Sequence, residues 1–304
     1  MTTPAGAGAP TTVGIQAGID VVVVAYGAPE LLDACLGSIE GRLPVVVVDN
    51  SSLPVVHEVC DRHGARYVDP GRNLGFAGGV NLALGQSPRP DRDDPPSPDR
   101  AVLLLNPDAQ IGPEAVARLH RFLIAHPHLA CVAPRQVDGA GGGDDRVGWP
   151  FPSPAGAWVE ALGLGRLRRR VDFLIGSVLL VRSTALVEVG PFDEQFFLYA
   201  EETDWQRRAR DLGWGRALCT DATAVHVGAG TGGDAAVREG HFHASQERYV
   251  RKYFGPAGWQ VYRAAVMTGA AVRAVALPGD RGRAAARRFH LYRQGPCRVE
   301  VPGP

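Results

Sequence analysis

Acidic residues at two places in this 304-residue chain have types and spacing that suit catalysis. One place is the turn Asn106-Pro107-Asp108, directly after the apolar segment 101–105. A carboxylate at the carboxyl end of a buried strand lies where α/β sheets bind ligands. Such oxygen ligands suit Mg²⁺ or Mn²⁺ shared with substrate phosphates. Asp108 is therefore a candidate metal ligand, although Asn, Pro and Asp are also common in structural turns.

The second place is the segment Glu201-Glu202-Thr203-Asp204, at the start of a predicted helix that ends near Gly213. Acidic residues in the first turn of a helix and arginines in the last stabilise any helix through its dipole. Asp204 and Arg208 also have the i,i+4 spacing of an ordinary helical ion pair. A carboxylate held ionised at a helix start is equally suited to act as a general base. The pattern alone leaves both interpretations open.

Two glycine-containing loops supply further candidates. The segment 73–81, NLGFAGGVN, lies between a predicted strand and a predicted helix and could bring backbone N–H groups close to a phosphate or a sugar. His226 lies in the loop VHVGAGT, where a lone histidine is more often a structural residue than a metal ligand. The GxGxxG fingerprint of dinucleotide-binding proteins is absent from the first strand–helix turn.

The elements that must position these residues alternate between strands and helices. Continuous apolar runs at 19–26 and 43–52 predict strands buried on both faces, as in a parallel sheet. The segment 29–41 between them has helical apolar spacing, and this strand–helix alternation continues to residue 231. The fold class predicted is therefore α/β. Residues 243–277 predict further helices, followed by an arginine-rich end.

Composition gives no support for a nucleic-acid-binding, zinc-binding, secreted or membrane-spanning protein. The 32 basic residues balance the 32 acidic ones, which gives no argument for a nucleic-acid partner. The five scattered cysteines have no zinc-site spacing and fit a reducing compartment. Residues 1–18 are predicted to be disordered and lack the features of a signal peptide, and no run of 18 apolar residues occurs. We therefore expect a cytoplasmic protein.

In their order and combination, these motifs resemble the family 2 glycosyltransferases. The closest resemblance is to the bacterial rhamnosyltransferase-like branch, whose pattern FDExFFxYxEDxDxxxR is nearly matched from Phe192 to Arg208. The resemblance covers residues 19–254 and implies a GT-A fold, in which a mixed, mainly parallel sheet joins a Rossmann-like nucleotide-binding half to an acceptor half. The expected parts are a disordered N-terminus over 1–18, the glycosyltransferase domain over 19–255 and a helical, arginine-rich extension over 256–304.

The resemblance also implies roles for the donor side of the site. In the family, residues after the first two strands and in the glycine loop bind the nucleotide, and the NPD turn replaces a DxD motif. Asp108 and His226 would then hold Mg²⁺ or Mn²⁺ together with the donor diphosphate. The residues expected to contact the donor are Tyr26, Asp49, Asn73, Gly75 and Asn106.

The catalytic base is where the chain departs from the family pattern. The family's usual base is the aspartate of an ED pair, and this chain has Glu202 at that position. Glutamate keeps the same chemistry with one more methylene, so Glu202 is the expected base of a single, inverting displacement. Asp204 is retained as a supporting or competing candidate.

Aromatic residues could shape the acceptor site. Trp149, Trp158 and Trp205 are candidate acceptor contacts, because aromatic rings stack on sugars. Packing beneath a loop is the competing explanation for the aromatic residues between 149 and 158.

The resemblance favours deoxythymidine-diphosphate rhamnose as donor, with a galactofuranosyl or other hexosyl donor as the alternative. The acceptor would be a hydroxyl of a cell-surface glycan or of a polyprenyl-linked saccharide. The arginine-rich end suggests peripheral contact with the inner face of the plasma membrane, or else a solvated helical face. A non-catalytic glycan-binding or scaffold protein is the alternative of another class, because Asn106 and Glu202 both depart from the family pattern.

Overall fold

The computed structural model of the chain describes residues 18–86, 97–139, 144–167, 170–228 and 235–300. The N-terminal segment predicted to be disordered lies outside the described residues, apart from Gly18, and so does most of the charged, proline-rich segment 87–100. Within the described residues, strands and helices alternate from Ile19 to His226, and helices follow to the C-terminal end.

The first part of the chain forms four parallel strands in the order β3-β2-β1-β4. Right-handed crossovers through helices are the usual way to connect parallel strands. The elements are β1 (Ile19–Ala25), α1 (Pro29–Ser38), β2 (Val45–Asp49), α2 (Pro54–His63), β3 (Arg66–Val68), α3 (Gly75–Gln86) and β4 (Ala101–Leu105).

The second part extends this sheet to the order β3-β2-β1-β4-β10-β6-β11-β5. Strand β10 is antiparallel to β4 and β6, whereas β11 is parallel to β6. The prediction of a mixed, mainly parallel sheet flanked by helices is therefore confirmed. The elements are β5 (Ala109–Gln110), α4 (Pro113–Ala125), β6 (Leu129–Val137), β7 (Asp144–Asp145), β8 (Gly148–Trp149), α5 (Pro154–Ala161), β9 (Phe173–Leu174), β10 (Val178–Arg182), α6 (Ser183–Val189), α7 (Glu201–Asp211) and β11 (Gly215–His226).

Alternate residues of β1 face two different hydrophobic cores, because successive side chains of a strand point to opposite faces of the sheet. Val21 and Val23 pack in the core that includes α1 and α2. Val22 and Val24 pack in the core that includes α3 and α7. Burial on both faces explains why the strand sequence is continuously apolar.

Three helices complete the chain and pack against the second half of the sheet domain. Helix α8 (Ala235–Ala276) is broken at Gly255, where φ is 65° and Pro256 follows, and it is joined by α9 (Gly279–Gln294) and α10 (Pro296–Val299). A third core contains Trp259 and Tyr292 from these helices, together with Phe173 of β9. Among the described residues, no helix combines the length and the apolar character needed to cross a membrane.

The packing of α3 on β1 leaves no space for a side chain at Gly79. A Cβ there would lie 2.7 Å from Cγ1 of Val24, whereas a Cβ at Gly85 on the same helix would meet nothing within 4 Å. We expect Gly79→Ala to destabilise the protein by about 1–3 kcal/mol through overpacking. Gly85→Ala should be neutral or should stabilise it by up to about 1 kcal/mol through helix propensity. Urea unfolding of the two variants provides the measurement, and equal stabilities would contradict this packing.

Candidate active site

The NPD turn holds Asp108 in a buried position between β4 and β5. The Asn106 N–H donates to the Ser177 carbonyl at 2.8 Å, and the Ala109 N–H closes the turn by donating to the Asn106 carbonyl at 3.0 Å. The side chain of Asp108 is buried, and its Oδ1 has no hydrogen-bond partner within the described part of the chain. A buried carboxylate oxygen without a partner is costly, so its presence indicates a site that a ligand completes.

Sheet register brings His226 beside this carboxylate. His226, at the end of β11, pairs with Ala109 of β5, and the Val227 N–H donates to the Asp108 carbonyl at 3.0 Å. The His226 Nε2 atom lies 3.3 Å from Asp108 Oδ1. Two residues that are 118 positions apart thus meet as the resemblance implied.

The Asp108–His226 pair has the donor set of a shared cation site. A carboxylate oxygen and an imidazole nitrogen suit Mg²⁺ or Mn²⁺. Within the described residues, no group of three or more His, Cys, Asp and Glu side chains could hold a metal ion. A cation at this pair would need ligands beyond the described His, Cys, Asp and Glu side chains, and phosphate oxygens have the right chemistry.

Strained backbone precedes the second acidic cluster. Tyr199 and Ala200 both have φ of 67°, a left-handed conformation that non-glycine residues seldom adopt, and helix α7 begins at the next residue. Strain of this kind persists only where the surrounding structure imposes it, and it is common at functional sites. Here it turns the first residues of α7 toward the interior of the protein.

Glu202 lies in the first turn of α7 with a buried, unpartnered Oε2 atom. Burial raises the pKa of its carboxyl group to about 7. Hydrogen bonds from the backbone of Glu202, Thr203 and Gly176 favour the ionised form and partly offset this increase in the pKa. Burial, together with the charge on Glu202, also raises the pKa of Glu201 well above its ordinary value. A carboxyl group whose pKa is near neutral has the properties of a general base.

Tyr199 connects the two acidic clusters. Burial raises the pKa of its phenol, and the negative charges of Glu201, Asp108 and Glu202 raise it further, while Arg238 lowers it. Asp108 and Glu202 lie in one region of the protein, because the Asn106 N–H donates to the Ser177 carbonyl and a Cβ at the neighbouring Gly176 would lie 3.6 Å from Glu202 Cβ. Sequence reasoning did not single out Tyr199, although the tyrosine of the FDExFFxYxEDxDxxxR pattern was the available signal.

A cavity of about 550 Å³ opens beside Glu202. Helix α7 contributes Glu202 and Thr203 to its wall, and Tyr199 lies next to them. The C-terminal helices contribute Tyr262 and Arg273, among other residues, to the facing wall. The predicted C-terminal extension is therefore part of the site.

Of the three tryptophans predicted to contact the acceptor, Trp149 lines this cavity. Its ring is 42% exposed, and the Arg146 guanidinium lies 3.8 Å above the ring centre. Trp158 is half-buried on α5 and lies outside the cavity lining. The prediction for Trp205 is wrong, because this side chain is fully buried in the core and stacks on Phe192.

The expectation that Asp204 competes as the base is also wrong, because its side chain is fully buried and both carboxylate oxygens are occupied. Oδ2 accepts from Arg208 Nε at 2.9 Å, and Oδ1 accepts from the Tyr253 hydroxyl at 2.8 Å. Lys252 Nζ lies 2.5 Å from Oδ1. Asp204 therefore joins α7 to α8, in a structural role.

Three of the residues predicted to contact the donor lie at the carboxyl ends of neighbouring strands. Tyr26 follows β1, Asp49 ends β2 and Asn106 follows β4, in the sheet order β2-β1-β4. Tyr26 and Asn106 are half-buried, and their expected donor contacts stay predictions.

Asp49 has a different role from the one expected. Its side chain has no exposed surface, and its oxygens accept from the N–H groups of Ser51 and Leu53, each at 2.9 Å, and from the Tyr67 hydroxyl at 3.2 Å. A direct contact between Asp49 and a nucleotide base is therefore contradicted. The carboxylate is needed to hold the turn that leads into α2.

Asn50, which sequence reasoning did not assign, fastens the glycine loop. Its Nδ2 donates to the Gly75 carbonyl at 3.0 Å, and its Oδ1 accepts from the Leu74 N–H at 3.1 Å. Asn73 Oδ1 accepts from the Gly75 N–H at 2.9 Å. A Cβ at Gly75 would lie 2.1 Å from the Phe197 carbonyl oxygen, so only glycine fits there. The loop is thereby fixed against the segment that enters α7.

Comparison with known sequences agrees with this arrangement. Residues 20–189 match the model of Glycosyl transferase family 2. An N-acetylglucosaminyl-diphospho-decaprenol L-rhamnosyltransferase of Mycobacterium tuberculosis is 31% identical over 266 residues, which are 79% of this chain and 86% of that protein. The low-salt glycan biosynthesis hexosyltransferase Agl10 of Haloferax volcanii is 27% identical over 219 residues, which are 68% of this chain and 66% of Agl10.

Comparison with solved structures shows the same fold. The mannosyltransferase PcManGT from Pyrobaculum calidifontis, solved in complex with GDP-Man and Mn²⁺, superposes with a TM-score of 0.54 at 17% sequence identity. The match covers 92% of this chain and 82% of that one.

Glu202 and Asp204 of α7 should respond oppositely to neutralisation. The pKa of the Glu202 carboxyl is 4.5 in the unfolded chain and about 7 in the folded protein. Below pH 4.5 the group is protonated in both states. As pH rises through 7 the folded protein must ionise a buried carboxyl, and the free energy of unfolding falls. Glu202→Gln should therefore gain stability relative to wild type at pH 8, on the order of 2–3 kcal/mol, but not at pH 4.5. Asp204→Asn should lose about 1–3 kcal/mol, because Arg208, Lys252 and the Tyr253 hydroxyl all lose a charged acceptor. Denaturant unfolding at the two pH values tests both, and a stability loss of the same size in both variants would contradict these environments.

Proposed function

Since this chain belongs to glycosyl transferase family 2, we propose that it is an inverting rhamnosyltransferase. Its donor is deoxythymidine-diphosphate rhamnose, and its acceptor is a hydroxyl of a saccharide linked to a lipid diphosphate. One observation carries the proposal: Asp108 and Glu202 each have a buried carboxylate oxygen without a hydrogen bond, and the segment Gly176-Ser177 packs against both the Asn106 turn and Glu202. The rhamnosyl group and the lipid-diphosphate acceptor follow the name of the M. tuberculosis relative, and the deoxythymidine nucleotide follows the resemblance to the rhamnosyltransferase-like branch.

Glu202 is the proposed base. Its carboxylate removes the proton from the acceptor hydroxyl while that oxygen attacks the anomeric carbon of the donor sugar. The bond between the anomeric carbon and the phosphate oxygen breaks, and its electron pair leaves with the nucleoside diphosphate. Attack from the face opposite the leaving group inverts the anomeric configuration. Because the pKa of Glu202 is about 7, much of the enzyme holds an ionised base at neutral pH.

Asp108 and His226 are the proposed protein ligands of a divalent cation. When bound, Mg²⁺ or Mn²⁺ supplies positive charge beside the departing diphosphate. Asn106 adds no charge to this position, but its backbone N–H and carbonyl maintain the turn that holds Asp108. Tyr26, Asn73 and Gly75 are proposed to lie against the nucleotide.

The cavity beside Glu202 is the proposed acceptor site. Its mixture of aromatic, apolar and basic residues suits a sugar joined to an anionic group, with Trp149 available for stacking on the sugar. We assign the glycosyltransferase domain to residues 19–255 and the arginine-rich helical extension to 256–304. The proposed location is peripheral, at the cytoplasmic face of the plasma membrane.

A different hexosyl donor is the second candidate, favoured by the similarity to the hexosyltransferase Agl10. A panel of nucleotide sugars, assayed by release of nucleoside diphosphate, distinguishes it from rhamnosyl transfer. Donor binding without turnover, even with acceptor present, would indicate a non-catalytic protein.

Asp108→Asn should remove metal-dependent transfer. The amide lacks the negative charge that a cation requires, so we expect a loss of turnover on the order of 100-fold or more, with unchanged secondary structure. The measurement is release of deoxythymidine diphosphate from deoxythymidine-diphosphate rhamnose across a Mn²⁺ titration. Asp61→Asn, which changes a 73% exposed side chain on α2, is the control. Activity close to wild type in Asp108→Asn would refute the metal assignment.

Rhamnosyl transfer should depend on ionised Glu202. In wild type, kcat/KM should rise with pH to half of its maximum at about pH 7 and reach a plateau at higher pH, because the base must be ionised to accept a proton. Glu202→Gln should lose about 10²–10⁴-fold in kcat while retaining donor affinity. Calorimetric titration with deoxythymidine diphosphate checks the affinity. If Glu202→Gln keeps its turnover, the base must be another residue.

A further inference from the structure

Exposed aliphatic side chains are concentrated where the end of α5 meets the end of α8. Leu162 is 68% exposed and Leu164 is 48% exposed in the turn after α5. Val272 is 59% exposed and Val275 is 91% exposed near the end of α8, and Leu277 follows them. We call these five residues the apolar tip.

Direct packing makes the two halves of the apolar tip one surface. A Cβ at Gly269 would lie 3.0 Å from Ala161 Cα, which places the two backbones in close contact. The Arg273 Nη2 atom donates to the Glu160 carbonyl at 2.6 Å. Leu162 directly follows Ala161, and Val272 directly precedes Arg273 on α8. These two residues of the tip are therefore close to each other.

Positive charge predominates in the C-terminal helices that carry part of the apolar tip, whereas the exposed Glu160 lies two positions before Leu162. Residues 255–299 contain eight arginines and a single acidic residue, Asp280. Asp280 is paired with Arg283 at 2.6 Å, and Arg281 and Arg287 are exposed on α9, which begins two residues after Leu277. Aliphatic side chains surrounded by arginines are complementary to an anionic lipid surface, where the former enter the acyl boundary and the latter meet the headgroups.

The apolar tip also borders the cavity. Glu160, Ala161 and Arg273 line the cavity. In sequence, Ala161 is next to Leu162 of the tip, Arg273 is next to Val272, and Glu160 lies two positions before Leu162. Glu202 lines the same cavity. An acceptor with a lipid tail at the tip could therefore extend its sugar from the bilayer surface toward the base.

We propose that the apolar tip docks into an anionic lipid bilayer and orients the cavity toward it. Docking itself needs only the tip and the arginines, whereas the entry of a lipid-linked acceptor through this surface rests on the proposed function. The described helices are unsuited to crossing a membrane, so the contact is interfacial.

Sedimentation with vesicles tests the docking. Wild-type protein should bind vesicles of equal parts phosphatidylglycerol and phosphatidylcholine, and bind phosphatidylcholine vesicles far less. The double variant Leu162→Glu/Val275→Glu should bind the anionic vesicles at least about tenfold more weakly. Replacing Arg281 or Arg287 by Gln should cost up to about fivefold each, and added salt should reduce the difference.

The control double variant is Val187→Glu/Leu212→Glu, which changes residues that are 54% and 51% exposed on α6 and after α7. It should bind like wild type. Absence of wild-type binding to anionic vesicles, or equal losses in the two double variants, would overturn the proposal. Light scattering tests whether the tip instead joins two copies of the protein. A dimer that only Leu162→Glu/Val275→Glu abolishes, without any vesicle binding by wild type, would also overturn the proposal.

Donor hydrolysis separates this proposal from the proposed function. In solution, both double variants should hydrolyse deoxythymidine-diphosphate rhamnose at the wild-type rate, because the changed residues lie outside the cavity lining. Tip-dependent vesicle binding without hydrolysis or transfer would leave the docking intact and refute the rhamnosyltransferase. Hydrolysis without tip-dependent vesicle binding would refute the docking alone.

Discussion

The site depends on one unsatisfied interaction: the Oδ1 atom of Asp108 is buried, has no hydrogen bond and faces His226 Nε2 at 3.3 Å. Burying a carboxylate oxygen without a hydrogen bond is unfavourable. The β5–β11 register and the Asn106 turn nevertheless hold Asp108 in this position. A ligand that brings positive charge removes the cost. This environment of Asp108 is the basis for the proposed cation site.

The remainder of the site is arranged around this point by rigid connections. Asn50 fastens the glycine loop, and Gly75 in that loop is in contact with Phe197, just before the strained residues Tyr199 and Ala200. The donor loop and the helix that presents the base are therefore parts of one network. The C-terminal helices form part of the wall of the cavity beside Glu202.

The strand and helix patterns predicted the fold class because they are encoded locally, whereas the meeting of Asp108 with His226 was implied only by the resemblance to the family. Prediction from the sequence failed where a role depends on distant neighbours. Asp204 is occupied by Lys252 of α8, a contact that no local pattern announces. Trp205 was predicted to contact the acceptor, and its burial in the core excludes that contact.

The account is tested most directly by diffraction from crystals grown with Mn²⁺ and deoxythymidine diphosphate, measured where manganese scatters anomalously. The account predicts an anomalous peak within coordination distance of Asp108 Oδ1 and His226 Nε2, about 2.0–2.3 Å away, with diphosphate oxygens completing the shell. A nucleotide bound at the carboxyl ends of β1 and β4 with manganese elsewhere, or with no manganese, would contradict it.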